Sequence, residues 1–295
     1  MSAPSVLYDL PGPRARRRAR IGTVLALIAI AALVFVVVRR LDERGQFASD
    51  LWAPWLDPNN ENFGAVWDLV GQGARATLVA AGLAITFSLI VGVVLGVARM
   101  MLGPVLRLPV VAFIELFRGL PVVITIVFVW RGFIEAGIDV GPLPGENALW
   151  YLVIGLTLYN SVIIAEILRA GVASLPRGQG EAARAIGMRE SQAMFSVLLP
   201  QGFRVMLPAL ISQLVVILKD TSLAAVIGLG YLELLRRGNQ ISQVLDNPIQ
   251  SLLIIGTLYI VINYLLSLLA SWVQRRMGRR TSGTPNAEQA VTAAA

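Results

Sequence analysis

Cysteine and histidine are absent from the 295 residues, and lysine occurs once, as Lys219. The first two absences exclude disulfides, thiol nucleophiles, imidazole bases and the usual zinc sites. The lone lysine follows apolar residues, not a G-x-x-x-x-G run, so there is no P-loop to cradle the phosphates of ATP. Charge is scarce as well: 15% of residues carry it, against about 25% in a soluble domain. The chain is instead 56% hydrophobic, with a mean hydropathy of +0.70. That balance predicts an all-α polytopic membrane protein. A net charge of +7 would suggest nucleic acid as a partner of a soluble protein. Here the arginines flank apolar runs, which reads as topology signalling with no nucleic acid involved.

A helix needs about 20 apolar residues to cross a bilayer core. Six stretches qualify: 21–38, about 77–97, about 108–130, about 149–168, about 205–227 and about 249–273. The first follows "RARRRAR" but ends at "VRRLDE" with no small-residue cleavage site, so it reads as an uncleaved anchor. The organisation predicted is a basic tail (1–20), an extra N-terminal helix with its loop (21–67), a five-helix core (68–275) and a small, polar, disordered tail (276–295). The arginines set the orientation. Arg14, Arg16, Arg17, Arg18 and Arg20 at one end, and Arg275, Arg276, Arg279 and Arg280 at the other, place both termini in the cytoplasm. The loop 41–64 sets Asp42, Glu43, Asp50, Asp57 and Glu61 against Arg44 and belongs outside, with Trp52 and Trp55 as interfacial anchors. Arg236 and Arg237, in an external loop, are the exception.

One segment does not match its surroundings. "EAARAIGMRESQAMFSVLLP", residues 181–200, is half polar and faces the cytoplasm in this topology. On a single helix Ala182, Ile186, Ala193 and Val197 would share a face, with Ala183 and Met194 beside it. Gly187 interrupts the run, which predicts two short helices around a bend. Such a surface can lie along a membrane or be gripped by another protein.

Glu181-Ala182-Ala183, then Gly187, Val197 and Leu199-Pro200 at their spacing, resemble the EAA loop of bacterial ABC-importer permeases. Val197 stands where the family usually has Ile, and Arg189 where many relatives have a capping Ser, so that cap is either missing or moved to Ser191. "ELFRGLP" (115–121), "YNSVIIAEILRAGVASLPRGQGEAARAIGM" (159–188), "LLPQGFRVMLPAL" (198–210) and "LKDTSLAAVIG" (218–228) extend the likeness to the polar amino acid subgroup. The resemblance implies a cytoplasmic coupling helix, with Glu181, Ala182, Ala183 and Gly187 at the contact with an ATPase. It also implies two ATP-binding cassette subunits that carry ATP-Mg, a second permease subunit, identical or homologous, and an extracytoplasmic binding protein that delivers the amino acid. This chain would hold no cofactor or metal itself, would lie in the bacterial inner membrane, and would be no enzyme. Glutamate or glutamine is the expected cargo.

Several polar residues fall inside the spans. Glu115 with Arg118, and Glu166 with Arg169, are three apart and can pair along a helix, as structural ion pairs or as parts of a gate. Asn160 can line the substrate route or glue helices together. Lys219-Asp220 is the sharpest candidate. Adjacent residues do not face each other on a helix, so each needs its own partner or the helix opens there, with Thr221 and Ser222 able to satisfy loosened backbone. Lys219 lies about 21 Å along the fifth span, beyond the midplane. A cation and an anion there suit the two ends of a zwitterionic amino acid; a structural role is equally open. The rival reading is a stand-alone secondary transporter with Glu115, Glu166 or Asp220 coupling to protons. No internal inverted repeat favours it. A membrane-embedded enzyme lacks any catalytic constellation.

Overall fold

The computed structural model describes residues 12–141 and 143–278. The first eleven residues of the basic tail, and 279–295 of the C-terminal tail, lie outside them. Two compact units divide the chain at Phe63.

In the first unit, α1 (Pro13–Glu43) is one continuous helix. Gly12 precedes it and Pro13 opens it, a position where the missing N–H is no loss. The arginines 14–20, expected in a tail, therefore ride on the same rod as the apolar run. At 31 residues the rod is about 47 Å long, so it outreaches a core of about 30 Å. α2 (Ser49–Leu56) follows, and the Trp52 indole Nε1 donates to the Gln46 carbonyl at 3.1 Å.

The second unit is helical throughout its described residues: α3 (Phe63–Met101), α4 (Pro104–Gly119), α5 (Val122–Glu135), α6 (Asn147–Ala173), α7 (Gly178–Ala185), α8 (Glu190–Ala193), α9 (Leu199–Val205), α10 (Leu207–Asp220), α11 (Leu223–Val226), α12 (Leu234–Leu245) and α13 (Pro248–Gly278). α6 is the central post. Thirteen of its 27 residues are buried, Leu152, Leu156, Ile164 and Leu168 among them, and α4, α5, α9 and α10 pack on it. α3 carries Ala80, Ala84, Ser88, Gly92 and Gly96, small buried residues four apart, and meets α6 at the last two. A Cβ on Gly92 would lie 2.8 Å from the Ser161 carbonyl oxygen, so the two backbones nearly touch. Without water to drive apolar surfaces together, such close packing is the main cohesive term between spans.

Among the described residues, five helices are long and apolar enough to cross a membrane, or six if α4 and α5 count as one span. The third span is thus not the single rod the sequence suggests: α4 and α5 meet at 110°. Pro121 is the cause. Its ring pushes Leu120 out of helical conformation, to ψ 142°. At the other end of the second unit α13 runs on through Arg276 to Gly278, past the start of the expected tail.

Candidate functional site

The polar segment forms the connection from α6 to α10. α7 ends in a Schellman turn: Gly187 N–H donates to the Arg184 carbonyl at 2.9 Å, and Met188 N–H to the Ala183 carbonyl at 3.1 Å. Gly187 sits at φ +83°, the left-handed region that a Cβ disfavours. α8 starts beyond it. The Gln192 side-chain oxygen accepts from Arg189 N–H at 2.8 Å, so Gln192, and not Ser191, caps this helix. A π-helical turn (Met194–Leu198) then leads into α9. The bend also splits the apolar face expected of one straight helix. Ala183, Ala193 and Met194 are buried inward, whereas Ala182 is exposed and Ile186 is 79% exposed. Glu181, Arg184, Arg189 and Glu190 surround that outer patch and are all exposed.

α9 returns the chain to the bundle through glycine. A Cβ on Gly171 of α6 would lie 2.6 Å from the Gly202 carbonyl oxygen. One on Gly202 would lie 2.9 Å from the Val172 amide nitrogen. Backbone meets backbone here, so displacement of α9 is passed to α6 with no pliable side chain between them.

At the same end of α6, the two expected ion pairs form. Arg118 contacts Glu115 at 2.5 Å, and Arg169 contacts Glu166 at 3.1 Å. Arg99 of α3, a residue that sequence spacing alone does not link to either pair, joins them. It pairs with Glu166 and lies 3.6 Å from Glu115. The five charges therefore bind α3, α4 and α6 into one network. Isolated exposed ion pairs contribute little, but a linked, partly buried network fixes geometry.

Asn160 is fully buried, and both ends of its amide are engaged: Nδ2 donates to the Leu156 carbonyl at 2.9 Å, and Oδ1 accepts from Gln213 Nε2 of α10 at 2.7 Å. Gln213 carried no signal in the sequence beyond being polar in a greasy run. Further along α10 the helix stops at Asp220. The Thr221 hydroxyl donates to the Leu218 carbonyl, and the Ser222 hydroxyl to the Lys219 carbonyl, each at 2.7 Å. Lys219 is exposed, Asp220 is half-buried, and neither forms an ion pair among the described residues.

Two features of the α10–α13 connection escaped the sequence reading. Glu233 is fully buried at the start of α12. Its carboxylate accepts from Leu235 N–H (2.7 Å), Arg236 N–H (2.8 Å) and the Tyr259 hydroxyl of α13 (2.7 Å). Burial holds this carboxyl above the ordinary range despite those donors. Arg237 departs from the charge rule for a packing reason: its guanidinium donates to Gln72 of α3 at 2.9 Å and to Gln240 at 3.2 Å.

A helical bundle with such a bent polar connection is a recognisable unit, and residues 65–279 match the model of the family described as "binding-protein-dependent transport system inner membrane component". The chain belongs to that family. It is a multi-pass permease of ABC transporters, a transport component and not an enzyme. Among curated permeases, the glutamate transport system permease protein GluD of Corynebacterium glutamicum is 38% identical over 239 residues, covering 80% of this chain and 83% of that protein. The probable glutamine ABC transporter permease protein GlnP of Bacillus subtilis is 33% identical over 223 residues, covering 74% and 96%. A crystal structure of an amino acid ABC transporter with histidines superposes at a TM-score of 0.64 with 29% identity, over 72% of this chain and 96% of that one. Membership in the permease family removes the two rivals, a stand-alone secondary transporter and a membrane enzyme.

Proposed function

We propose that the chain imports a polar amino acid, glutamate or glutamine, using energy from ATP hydrolysed on another subunit. The observation that carries this reading is the bent α7–α8 pair. It places a small apolar patch, Ala182 and Ile186, inside a charged rim, in a protein with no P-loop of its own. Two ATP-binding cassette subunits, each with ATP-Mg, grip this pair on one copy of the permease and on its second copy or homologue. Closure of the motors displaces α7 and α8, the Gly171–Gly202 contact passes the motion to α6, and the Arg99 network carries α3 and α4 with it. The substrate arrives on an extracytoplasmic binding protein. Lys219 is exposed within a span, where hydrocarbon would cost an ammonium several kcal/mol. A water-filled route shared with the second permease satisfies it, and Lys219, Asp220, Thr221 and Ser222 then meet the charged ends of the amino acid. The similarity to GluD and GlnP supports the choice of cargo.

Purification tests the assembly: the tagged chain should bring down an ATPase subunit. Reconstituted in vesicles with its binding protein, that complex should take up labelled glutamate or glutamine only with ATP on the motor side. A chain that purifies alone and transports without ATP would refute the proposal. Orientation has its own test. A reporter fused after Asn60 should read outside, and fusions after Gly178 and Ser282 should read cytoplasmic. A cytoplasmic signal at Asn60 would invert the topology and leave α7 and α8 out of reach of a cytoplasmic motor.

A further inference from the structure

A cavity of about 600 Å³ opens where α3 and α6 end and α4 begins, beside the π-helical turn. Its cationic lining comes from three helices: Arg99 near the end of α3, Arg107 in the first turn of α4 and Arg169 near the end of α6. The rest of the wall is apolar, including Met100, Val111, Val172 and Met194. Arg99 and Arg169 share Glu115 and Glu166 with Arg118. Arg107 forms no ion pair among the described residues, so four arginines face two carboxylates and positive charge is in excess. A cavity with that excess calls for an anion. Arginine's planar fork suits phosphate, which it can hold through two parallel hydrogen bonds.

We propose that this cavity binds the phosphate-bearing headgroup of an anionic phospholipid. Depth is one argument: Arg99 and Arg169 stand near the ends of two membrane-crossing helices, and Arg107 lines the same cavity from the first turn of α4, at the level where headgroups lie. The apolar wall is another, since a free anion has no use for it, whereas glycerol and the first acyl carbons do. The surroundings of Arg107 are a third. Val105, Leu106 and Leu108 beside it are strongly exposed apolar side chains, fit for lipid tails. A lipid seated here would touch α3, α4, α6 and Met194 at once, and so tie the bundle to the end of the coupling segment. The inference is independent of which amino acid is carried.

The test uses the full-length chain in complex with its ATPase subunits, stripped of lipid in detergent and titrated with phosphatidylglycerol, phosphatidylcholine or inorganic phosphate. Retained lipid is read by native mass spectrometry. Phosphatidylglycerol should be retained over phosphatidylcholine, and Arg107→Gln should weaken retention about fivefold, as expected for one arginine at an anionic membrane surface. Arg107→Lys should keep most of it. Ala173→Glu, which adds a carboxylate to the cavity wall with Arg107 intact, should abolish it. Arg131→Gln, which removes an arginine that stacks on Trp130 instead, should change nothing. Equal retention by wild type and Arg107→Gln would overturn the proposal. So would phosphatidylcholine binding as tightly as phosphatidylglycerol. Displacement of phosphatidylglycerol by inorganic phosphate at matching concentration would reassign the cavity to a free anion.

Discussion

Gly187→Val is expected to leave the permease in the membrane at normal levels and to abolish ATP-driven uptake. Apart from its two chain neighbours, no described residue lies within 4 Å of a Cβ built at Gly187, so the effect is not a clash with another part of the fold. It lies in the backbone: φ is +83°, and a side chain there costs about 1–2 kcal/mol, more if β-branched. A short helical corner relieves such strain by changing its angle, which moves Ile186 and Glu181 relative to α8. Gly187→Ala should give an intermediate loss. Glu181→Lys approaches the same contact by another route, reversing an exposed charge in the first turn of α7, where the helix dipole favours an acid. ATP hydrolysis in both variants should no longer respond to the loaded binding protein. Wild-type uptake by either, at matched membrane levels, would remove the coupling role from this segment.

Lys219→Met and Asp220→Asn should each cut uptake at least about tenfold, equivalent to about 1.4 kcal/mol in the barrier, with assembly on the ATPase unchanged. The motive is geometric. The helix ends at this pair, the hydroxyls of Thr221 and Ser222 occupy the carbonyls of the last turn, and neither side chain forms an ion pair among the described residues. A charge without an ion-pair partner within a span is costly unless water or substrate meets it. If both variants fail to assemble, the pair instead holds α10 in place. If both assemble and transport at full rate, the route runs elsewhere, and Gln213, half-buried beside Asn160, is the next residue to replace.

The α7–α8 bend was readable from Gly187 in a polar run, because a glycine between two helical stretches has few other uses. The pairs Glu115–Arg118 and Glu166–Arg169 were readable because three residues along a helix fixes a separation. Their joining through Arg99 was not, since 67 residues of chain separate it from Glu166 and only packing of α3 on α6 brings them together. Gln213 and Glu233 were hidden for the same reason: their partners Asn160 and Tyr259 lie on other helices. Hydropathy found the spans but not the break in the third. It sums apolar residues along a window and takes no account of the direction the chain follows through "RGLPV".

That break bears on how the protein is made. α4 has 16 residues and α5 has 14, so as helices they reach about 24 and 21 Å, and neither alone crosses a core of about 30 Å. The backbone between them, from Gly119 to Pro121, can sit at membrane depth only where protein or a watery cavity shelters it. Shelter for α5 comes from α6, whose Gly155 admits Ile126 at closest approach, and α6 leaves the ribosome later. During synthesis the third segment therefore has no stable transmembrane form of its own. The third and fourth segments are therefore expected to insert as a pair, and a chain truncated before α6 should leave α4 and α5 poorly integrated.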